Sequence, residues 1–441
     1  MLDSFGNQVY GYLQSIPSSV LEIIEVVGLF ILGIILFAIF RAGWLHWRRE
    51  IFKNEIDWMI MEIKIPREIR KSPKAMEQVL ASIHSLRNSP SNFGEFYFDG
   101  EVTRWYSLEM VSFSGEAHLY IRFYRKQRNL VEAAFFSYYP DIELIETDDY
   151  IDRMPETISE MYSQGYDLWG AEMVLVKSPA YPIKMYSEFE STEEEKEFDP
   201  VSTFLEVLGK VKKEEIVGIQ IIITPMDNGW RKQFEGEIDH LKDSSTKKST
   251  STTESGEIKE FTRSLMRTPG ETKILEAVED NLSKPAFETT IRFIYLSPKT
   301  SFYDSFARRG LSGAFNQYSA LHLNSIRQNY PTGTRTGIFY YPFIFPRLRN
   351  EYRKQRLLRN YRHRETPPEG FIGRFITSRF LNWNFATRAN PMNIEAVATL
   401  YHPPSHFVLT APHIKRLESR RGGPPAGLAI FGDEDNIERF K

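Results

Sequence analysis

Residues 26–40 (VVGLFILGIILFAIF) form an uncharged apolar run, and no other feature constrains the chain as strongly. With the apolar positions of 21–24 before it and Trp44, Leu45 and Trp47 after it, the stretch approaches about 20 residues, enough for a helix to cross a bilayer. No Lys or Arg precedes the run, whereas Arg41, Arg48, Arg49 and Lys53 follow it. The positive-inside bias therefore predicts an extracytoplasmic amino end over 1–20, one transmembrane helix over 21–43 and a cytoplasmic body, a single-pass protein of the inner membrane. A cleaved signal peptide would need a basic start and a small-residue cleavage site, and MLDSFGNQVYGYLQ and FRAGWLHW supply neither. Glu22 and Glu25 fall at the outer edge, where carboxylates reach water, and Trp44 and Trp47 suit the inner interfacial belt.

The remaining chain has the composition of an ordinary soluble protein, 41% apolar and 26% charged over 441 residues, and is long enough for two or three packed units. Thirty-two Phe and 22 Tyr argue for well-filled cores containing β structure. The absence of Cys excludes disulfides, thiolate catalysis, iron–sulfur clusters and Cys-based zinc sites. Any metal site would have to use His and carboxylates.

Periodicity predicts a strand over 58–65 ended by Pro66, a helix over 72–86 with Pro73 in its first turn, and a hairpin of 106–113 and 116–123 around Ser114-Gly115. A helix over 127–137 and a strand over 142–146 complete β-α-β-β-α-β, the ferredoxin-like order, within a first unit at 56–150. A second unit at 160–330 offers strands at 169–177, 183–188 and 216–224 around a helix at 200–211, then a helix at 271–282, a strand at 287–296 and helical stretches at 302–309 and 314–328. The fold class expected is α+β, a single transmembrane helix followed by duplicated ferredoxin-like units. Residues 242–256 (KDSSTKKSTSTTESG) contain no apolar side chain and are expected to be disordered, and 188–197 reads as a polar loop. Residues 331–441 are aromatic, then basic, then Pro-rich.

No catalytic set emerges. Gly209-Lys210 lies inside a helix and is followed by Val211, so there is no phosphate-cradling loop, and Gly422, Gly423 and Gly427 alternate with Pro424 and Pro425 as a linker would. His402 and His406 have zinc-helix spacing, but Pro403 and Pro404 between them forbid the helix that would align the imidazoles. Acidic clusters at Asp148-Asp149, 193–195 and 433–435 read as solvated faces, and Ser312 in GLSG misses the nucleophile elbow by one position. Neither a cofactor nor a metal is expected. The basic segment RLRNEYRKQRLLRNYRHR holds Arg347, Arg349, Arg353, Lys354, Arg356, Arg359, Arg362 and Arg364, which could follow a nucleic-acid or lipid phosphate surface, with Tyr352 and Tyr361 available for stacking. The competing reading is a helix that docks Leu348, Tyr352, Leu357 and Leu358 while its cations are solvated or meet acidic loops. The aromatic stripe at 339–345 reads as core.

Segments 61–84, 104–123, 166–190, 269–297 and 390–405 together resemble, in the same order, the membrane-anchored amino-terminal region of type IV secretion or conjugation-type ATPases of candidate-phyla bacteria. In that family the stretch like IEAVATLYHPPS and the following Gly-Pro-Pro segment lead into a phosphate-binding motor, whereas this sequence ends at Lys441 without one. The resemblance implies a non-catalytic scaffold or docking component of such a translocation complex, partnered by the membrane, a separately encoded motor ATPase and other secretion components, with oligomerisation and nucleic-acid contact as further expectations. No catalytic residue carries over. The alternatives from other classes are a membrane-tethered nucleic-acid-binding module that handles DNA during transfer, and an enzyme with an unfamiliar site.

Overall fold

A computed structural model describes residues 18–66, 71–189, 198–243, 246–252, 258–264, 268–302, 306–334, 345–367 and 387–405. Helix α1 (Ser18–Glu55) is one uninterrupted 38-residue helix, longer than the 21–43 expected, because its last turns continue past the apolar run and dock on the body. It is long and apolar enough to span a membrane, and none of its apolar window is buried. The first half of the body then runs β1 (Trp58–Lys64), α2 (Pro73–Ser85), β2 (Tyr106–Phe113), β3 (Glu116–Tyr124), α3 (Arg128–Tyr138), β4 (Glu143–Glu146) and a short α4 (Ile158–Ser163). The second runs β5 (Tyr166–Leu175), α5 (Ser202–Gly209), β6 (Ile216–Pro225), α6 (Glu235–Asp243), β7 (Thr246–Thr252), β8 (Ile258–Ser264), α7 (Pro269–Ser283), β9 (Ala286–Pro298), α8 (Phe306–Asn316) and β10 (Ile326–Gln328). A basic helix α9 (Pro346–His363), strand β11 (Asn390–Asn393) and α10 (Ile394–Leu400) follow. The protein is thus α+β.

Local chemistry starts these helices where the sequence signals do. Ser72 accepts a hydrogen bond from the Lys74 amide at 3.1 Å ahead of Pro73, and Thr268 and Glu271 form a reciprocal capping box ahead of α7. Long apolar strands then pair into one antiparallel sheet rather than two separate ones, in the order β10-β5-β9-β6-β2-β3-β1-β4. The halves join where β2 pairs with β6, from Tyr106 opposite Ile223 to Phe113 opposite Ile216. Counting only the strands of this sheet, since β7 and β8 form a two-stranded sheet of their own, each half repeats one sequence outward from that seam: its second, third, first and fourth strand. Strand β11 pairs with β9 beyond the end of β5, and the Asn390 side chain accepts from the Leu175 amide at 3.0 Å to close the junction.

Alternation within each strand divides its side chains between two faces. One face carries Met61, Leu108, Ile121, Ile219 and Phe293 and packs under α2, α3, α5, α8 and α10 in the main core. The opposite face carries Glu62, Glu109, Gln220, Glu172 and Arg292 among fewer apolar side chains, and α4, α9 and the 3-10 turn Tyr150–Arg153 cover much of it.

Three expectations in the second half change. The segment 183–188 is no strand but a buried crossing that ends in the 3-10 turn Tyr186–Glu188; Ile183 and Met185 fill the core without pairing. The helix expected over 314–328 stops at Asn316, because the edge of β5 recruits Ile326–Gln328 as β10. The Asn324 side chain fixes that return by accepting from the Lys177 amide and donating to the carbonyls of Ser178 and Tyr181. Within 242–256, where disorder was expected, Thr246–Thr252 pairs with Ile258–Ser264 as a β-hairpin, since Thr favours strands and a ladder of backbone bonds needs no apolar side chain; residues 244–245 and 253–256 lie outside the described residues. The aromatic stripe lies outside the described residues except for Phe345, which is exposed.

Candidate functional site: the charged face and its clasp

Helix α9 contains most of the basic segment, and it lies on the charged face rather than in solvent. Its Leu357, Leu358 and Tyr361 are buried against Leu168, Ile294 and Leu296. Two strand glycines make room for it. A methyl group at Gly218 would overlap the Tyr361 hydroxyl, and one at Gly170 would strike the Phe293 carbonyl of the paired strand at 2.3 Å as well as Leu357 Cδ2 at 2.9 Å. Leu348 and Tyr352, expected to dock, are exposed.

Just past the end of α9, Arg364 adopts a left-handed backbone (φ 52°) that turns its side chain under the helix. Its guanidinium grips Glu109 through Nε–Oε1 at 2.6 Å and Nη2–Oε2 at 3.1 Å, and Asp149 through Nη1–Oδ2 at 2.6 Å and Nη2–Oδ1 at 2.9 Å. The Tyr150 hydroxyl donates to Glu109 and shares a 2.9 Å bond with the Tyr361 hydroxyl, while Gln220 Nε2 donates to Glu109 and to the Tyr361 carbonyl. Arg364 is 1% exposed and Glu109 fully buried, so the bidentate pairs replace the hydration both charges have lost. Burial pushes Asp149 up, but the hydrogen bonds and charge of Arg364 outweigh it and hold the carboxyl below its usual range. Burial, with Glu109 nearby, raises Tyr150 and Tyr361 well above the usual phenol value.

A second buried pair lies further along the same face. Arg292 Nε meets Glu172 Oε1 at 2.9 Å, both side chains are fully buried, and Arg292 Nη1 donates to the Asn360 carbonyl of α9 at 3.2 Å. Burial raises the Glu172 carboxyl more than Arg292 lowers it. The eight cations of the basic segment therefore divide. Arg349, Arg353, Lys354 and Arg364 are buried, with Arg353 donating to the carbonyls of Tyr330 and Gly333 and Lys354 pairing with Asp167 and Tyr162. Arg362 is partly buried and donates to the carbonyls of Ile151 and Met154, and Arg356 is partly buried beside the Tyr352 ring. Arg347 and Arg359 are exposed. A continuous eight-cation surface for phosphates is not what the sequence folds into.

On the apolar face a third charged group ties down the end of the described chain. Asp199 accepts from His402 Nε2 at 2.9 Å, and from the amide and hydroxyl of Ser405 at 2.8 and 2.9 Å. His402 Nδ1 faces the Ala398 carbonyl at 2.7 Å, so each ring nitrogen is held against an oxygen of the body. Burial raises Asp199, yet the His402 charge and these hydrogen bonds prevail and bring it down to about 2. Ser405 bonds the carboxylate rather than the imidazole, so the three are a latch and not a nucleophilic triad.

Sequence reasoning found Arg364 but missed Glu109, Tyr150, Glu172, Arg292, Gln220 and Asp199, and it placed Asp149 on a solvated face. The available signal was the charged or amide residue within otherwise apolar strands, as in YSLEMVSF and IVGIQIIITP. Among the described residues no group of three or more His, Asp and Glu could hold a metal ion. His406, the Gly-Pro linker and the acidic clusters at 193–195 and 433–435 lie outside them, while Ser312 accepts a hydrogen bond from Gln328.

An apolar helix leading into an antiparallel α+β body with a helix-covered charged face is the class of protein this geometry defines. The chain belongs to the family described as a domain of unknown function, DUF8128, which it matches over residues 48–331. That span holds both halves of the sheet through β10, whereas α9 and β11–α10 lie beyond it. No curated protein matches the chain.

Proposed function

We propose that the protein is a non-catalytic, single-pass inner-membrane docking platform of a type IV secretion or conjugation-like translocation complex. In this reading α1 is the anchor, the body faces the cytoplasm, and the halves of the sheet are duplicated ferredoxin-like units joined at β2 and β6. The observation that carries it is α1, an apolar helix with no buried window attached to a body whose strongest charges are consumed internally. Hydrocarbon is the solvent such a helix fits. Arg41, Arg48, Arg49 and Lys53 at its body end support the cytoplasmic orientation. The strand order repeated about the seam supports the duplication, and the segmental resemblance to motor-bearing proteins supplies the partner.

The body constrains where that partner docks. Residues 390–405 cannot be a free docking tail, because β11 pairs with β9 and Ile394, Val397 and Tyr401 are core. The motor contact is therefore assigned to the segment after Ser405, which includes the Gly- and Pro-containing stretch 422–427. Gentle detergent extraction of the full chain should co-purify an ATPase with a phosphate-binding loop, and deletion of 406–441 should release it without lowering the melting temperature. Absence of any ATPase, or retention after the deletion, counts against the platform.

A further inference from the structure

Where α1 reaches the body, it meets an ordered aromatic segment whose rings the fold leaves exposed. The Trp44 indole donates to the Tyr97 carbonyl at 2.8 Å. Arg49 lies 5.2 Å from the Phe96 ring centre, and a methyl at Gly100 (φ +69°) would strike the Arg48 backbone, so helix and segment are in direct contact. Residues 93–100 form a helical turn that continues as the π-helix Glu95–Asp99. A polar staple holds it: Glu95 accepts from the Ser91 amide at 2.7 Å, the Ser91 hydroxyl at 3.0 Å and Asn92 Nδ2 at 2.8 Å, and Asn92 Oδ1 accepts from the Glu95 amide at 2.9 Å. This well-tied segment displays Phe93 and Phe98, 68% and 60% exposed, and Trp47 on the helix, in ring contact with Trp44, is exposed too. Phe93 packs tilted against Tyr97 with ring centres 4.5 Å apart and meets Phe98 edge-on at 6.1 Å, so the rings form one patch.

Depth along the helix identifies what covers the patch. Trp44 follows the last residue of the apolar run, Phe40, by one turn, about 6 Å at ~1.5 Å per residue. A bilayer's polar interface occupies roughly the 5–8 Å beyond its hydrocarbon core, and aromatic rings partition there. The Trp44–Tyr97 bond fixes residues 93–100 at that level, and Arg41, Arg48 and Arg49 add the cations that anionic headgroups attract. We infer that residues 93–100 are a second membrane-contacting element, which inserts Phe93 and Phe98 into the headgroup region of the leaflet from which α1 emerges and so sets the orientation of the sheet. This rests on the anchoring reading above. The occupant is lipid, recognised by aromatic rings beside arginines.

The chain has no cysteine, so single-cysteine variants label cleanly. Full-length Phe98→Cys and Phe93→Cys, each carrying an environment-sensitive fluorophore, would be placed in phosphatidylethanolamine–phosphatidylglycerol nanodiscs beside Ile35→Cys within the apolar run and Lys213→Cys. Lys213 is exposed and precedes β6 at the strand ends opposite Trp58, about 25 Å away at ~3.3 Å per residue. Labels at 93 and 98 should be shielded from aqueous dithionite at least tenfold relative to 213, and quenched by headgroup-proximal spin-labelled lipid. If 35 is shielded while 93 and 98 react as fast as 213, the collar is wrong and the anchor stands. Shielding of 93 and 98 without lipid quenching would mean that a second copy of the chain covers them, which also overturns the proposal. Exposure of 35 would remove anchor and collar together.

Discussion

The two faces of the sheet are buried to similar depth by different chemistry. On one, helices α2, α3, α5, α8 and α10 bury mainly aliphatic and aromatic side chains, with the Asp199 latch as a charged exception. On the other, α9 descends onto carboxylates and arginines, and each buried charge needs a partner in good geometry. The apolar face tolerates imprecision, since a lost methylene leaves a cavity of limited cost. The charged face does not, since removing one partner strands another charge. That asymmetry suits the second face to fixing the position of a late-sequence helix on a sheet formed by earlier residues.

The strongest test is to break one member of the Glu109–Asp149–Arg364 node. Arg364→Met should cost about 3–5 kcal/mol, because it strips the fully buried Glu109 of its bidentate partner and weakens the charge balance at Asp149, which is a third exposed and also feels Arg122. Adding Glu109→Gln and Asp149→Asn should restore much of that loss, and denaturant titration of the three proteins reads it directly. A cost below about 1 kcal/mol for the single change would mean that water reaches the node, erasing the contrast between the faces.

Next comes the fit of α9 to the sheet. Gly218→Ala should destabilise by about 1–3 kcal/mol through overlap with the Tyr361 hydroxyl, and Tyr361→Phe should partly rescue it by removing the oxygen in the way. Simple additivity of the two changes would place Tyr361 elsewhere.

The Asp199 latch makes a smaller, pH-dependent contribution. Its carboxyl is depressed from 3.8 to about 2 in the folded protein, so the stabilisation is complete above pH 4 and is lost as pH falls through about 2. A shift of that size is worth on the order of 2 kcal/mol at neutral pH. Asp199→Asn should therefore flatten the acid limb of stability against pH, and an unchanged limb would deny the latch its role. Glu172 acts in the opposite direction: its raised carboxyl favours the folded state as pH falls, so the comparison must be made between variants rather than from wild type alone.

The faces also differ in how legibly the sequence writes them. Ser72-Pro73 and the hairpin about Ser114-Gly115 are local signals, and the elements they bound appear as expected. Spacing also exposes the apolar side of α2, where Met76, Val79, Leu80 and Ile83 recur at helical intervals. The charged face is different. Glu109 is separated from Arg364 by 255 residues and Glu172 from Arg292 by 120, so neither pairing has a local signature. Strand β10 was hidden for the same reason, since only the edge of β5 makes Ile326–Gln328 a strand. The basic segment was legible as a docking helix through Leu357 and Leu358, but not in detail: sequence shows eight cations and not the carboxylates and carbonyls that Lys354, Arg353 and Arg364 meet.

The smallest expected effect separates the two sides of α9 itself. Arg347 and Arg359 are exposed, whereas Arg349, Arg353 and Lys354 on the same helix are buried. Charge reversal of Arg347 and Arg359 together should change stability by less than about 0.5 kcal/mol, as expected for solvated surface positions. If these two cations nevertheless bind DNA, the reversal should weaken binding and reduce the slope of log affinity against log salt by roughly 2, one for each phosphate no longer neutralised. A structural role for α9 alone predicts no change in that slope. A large loss of stability from the same reversal would mean that the outer side of the helix is covered too, and the two sides of α9 would no longer divide into solvent and sheet.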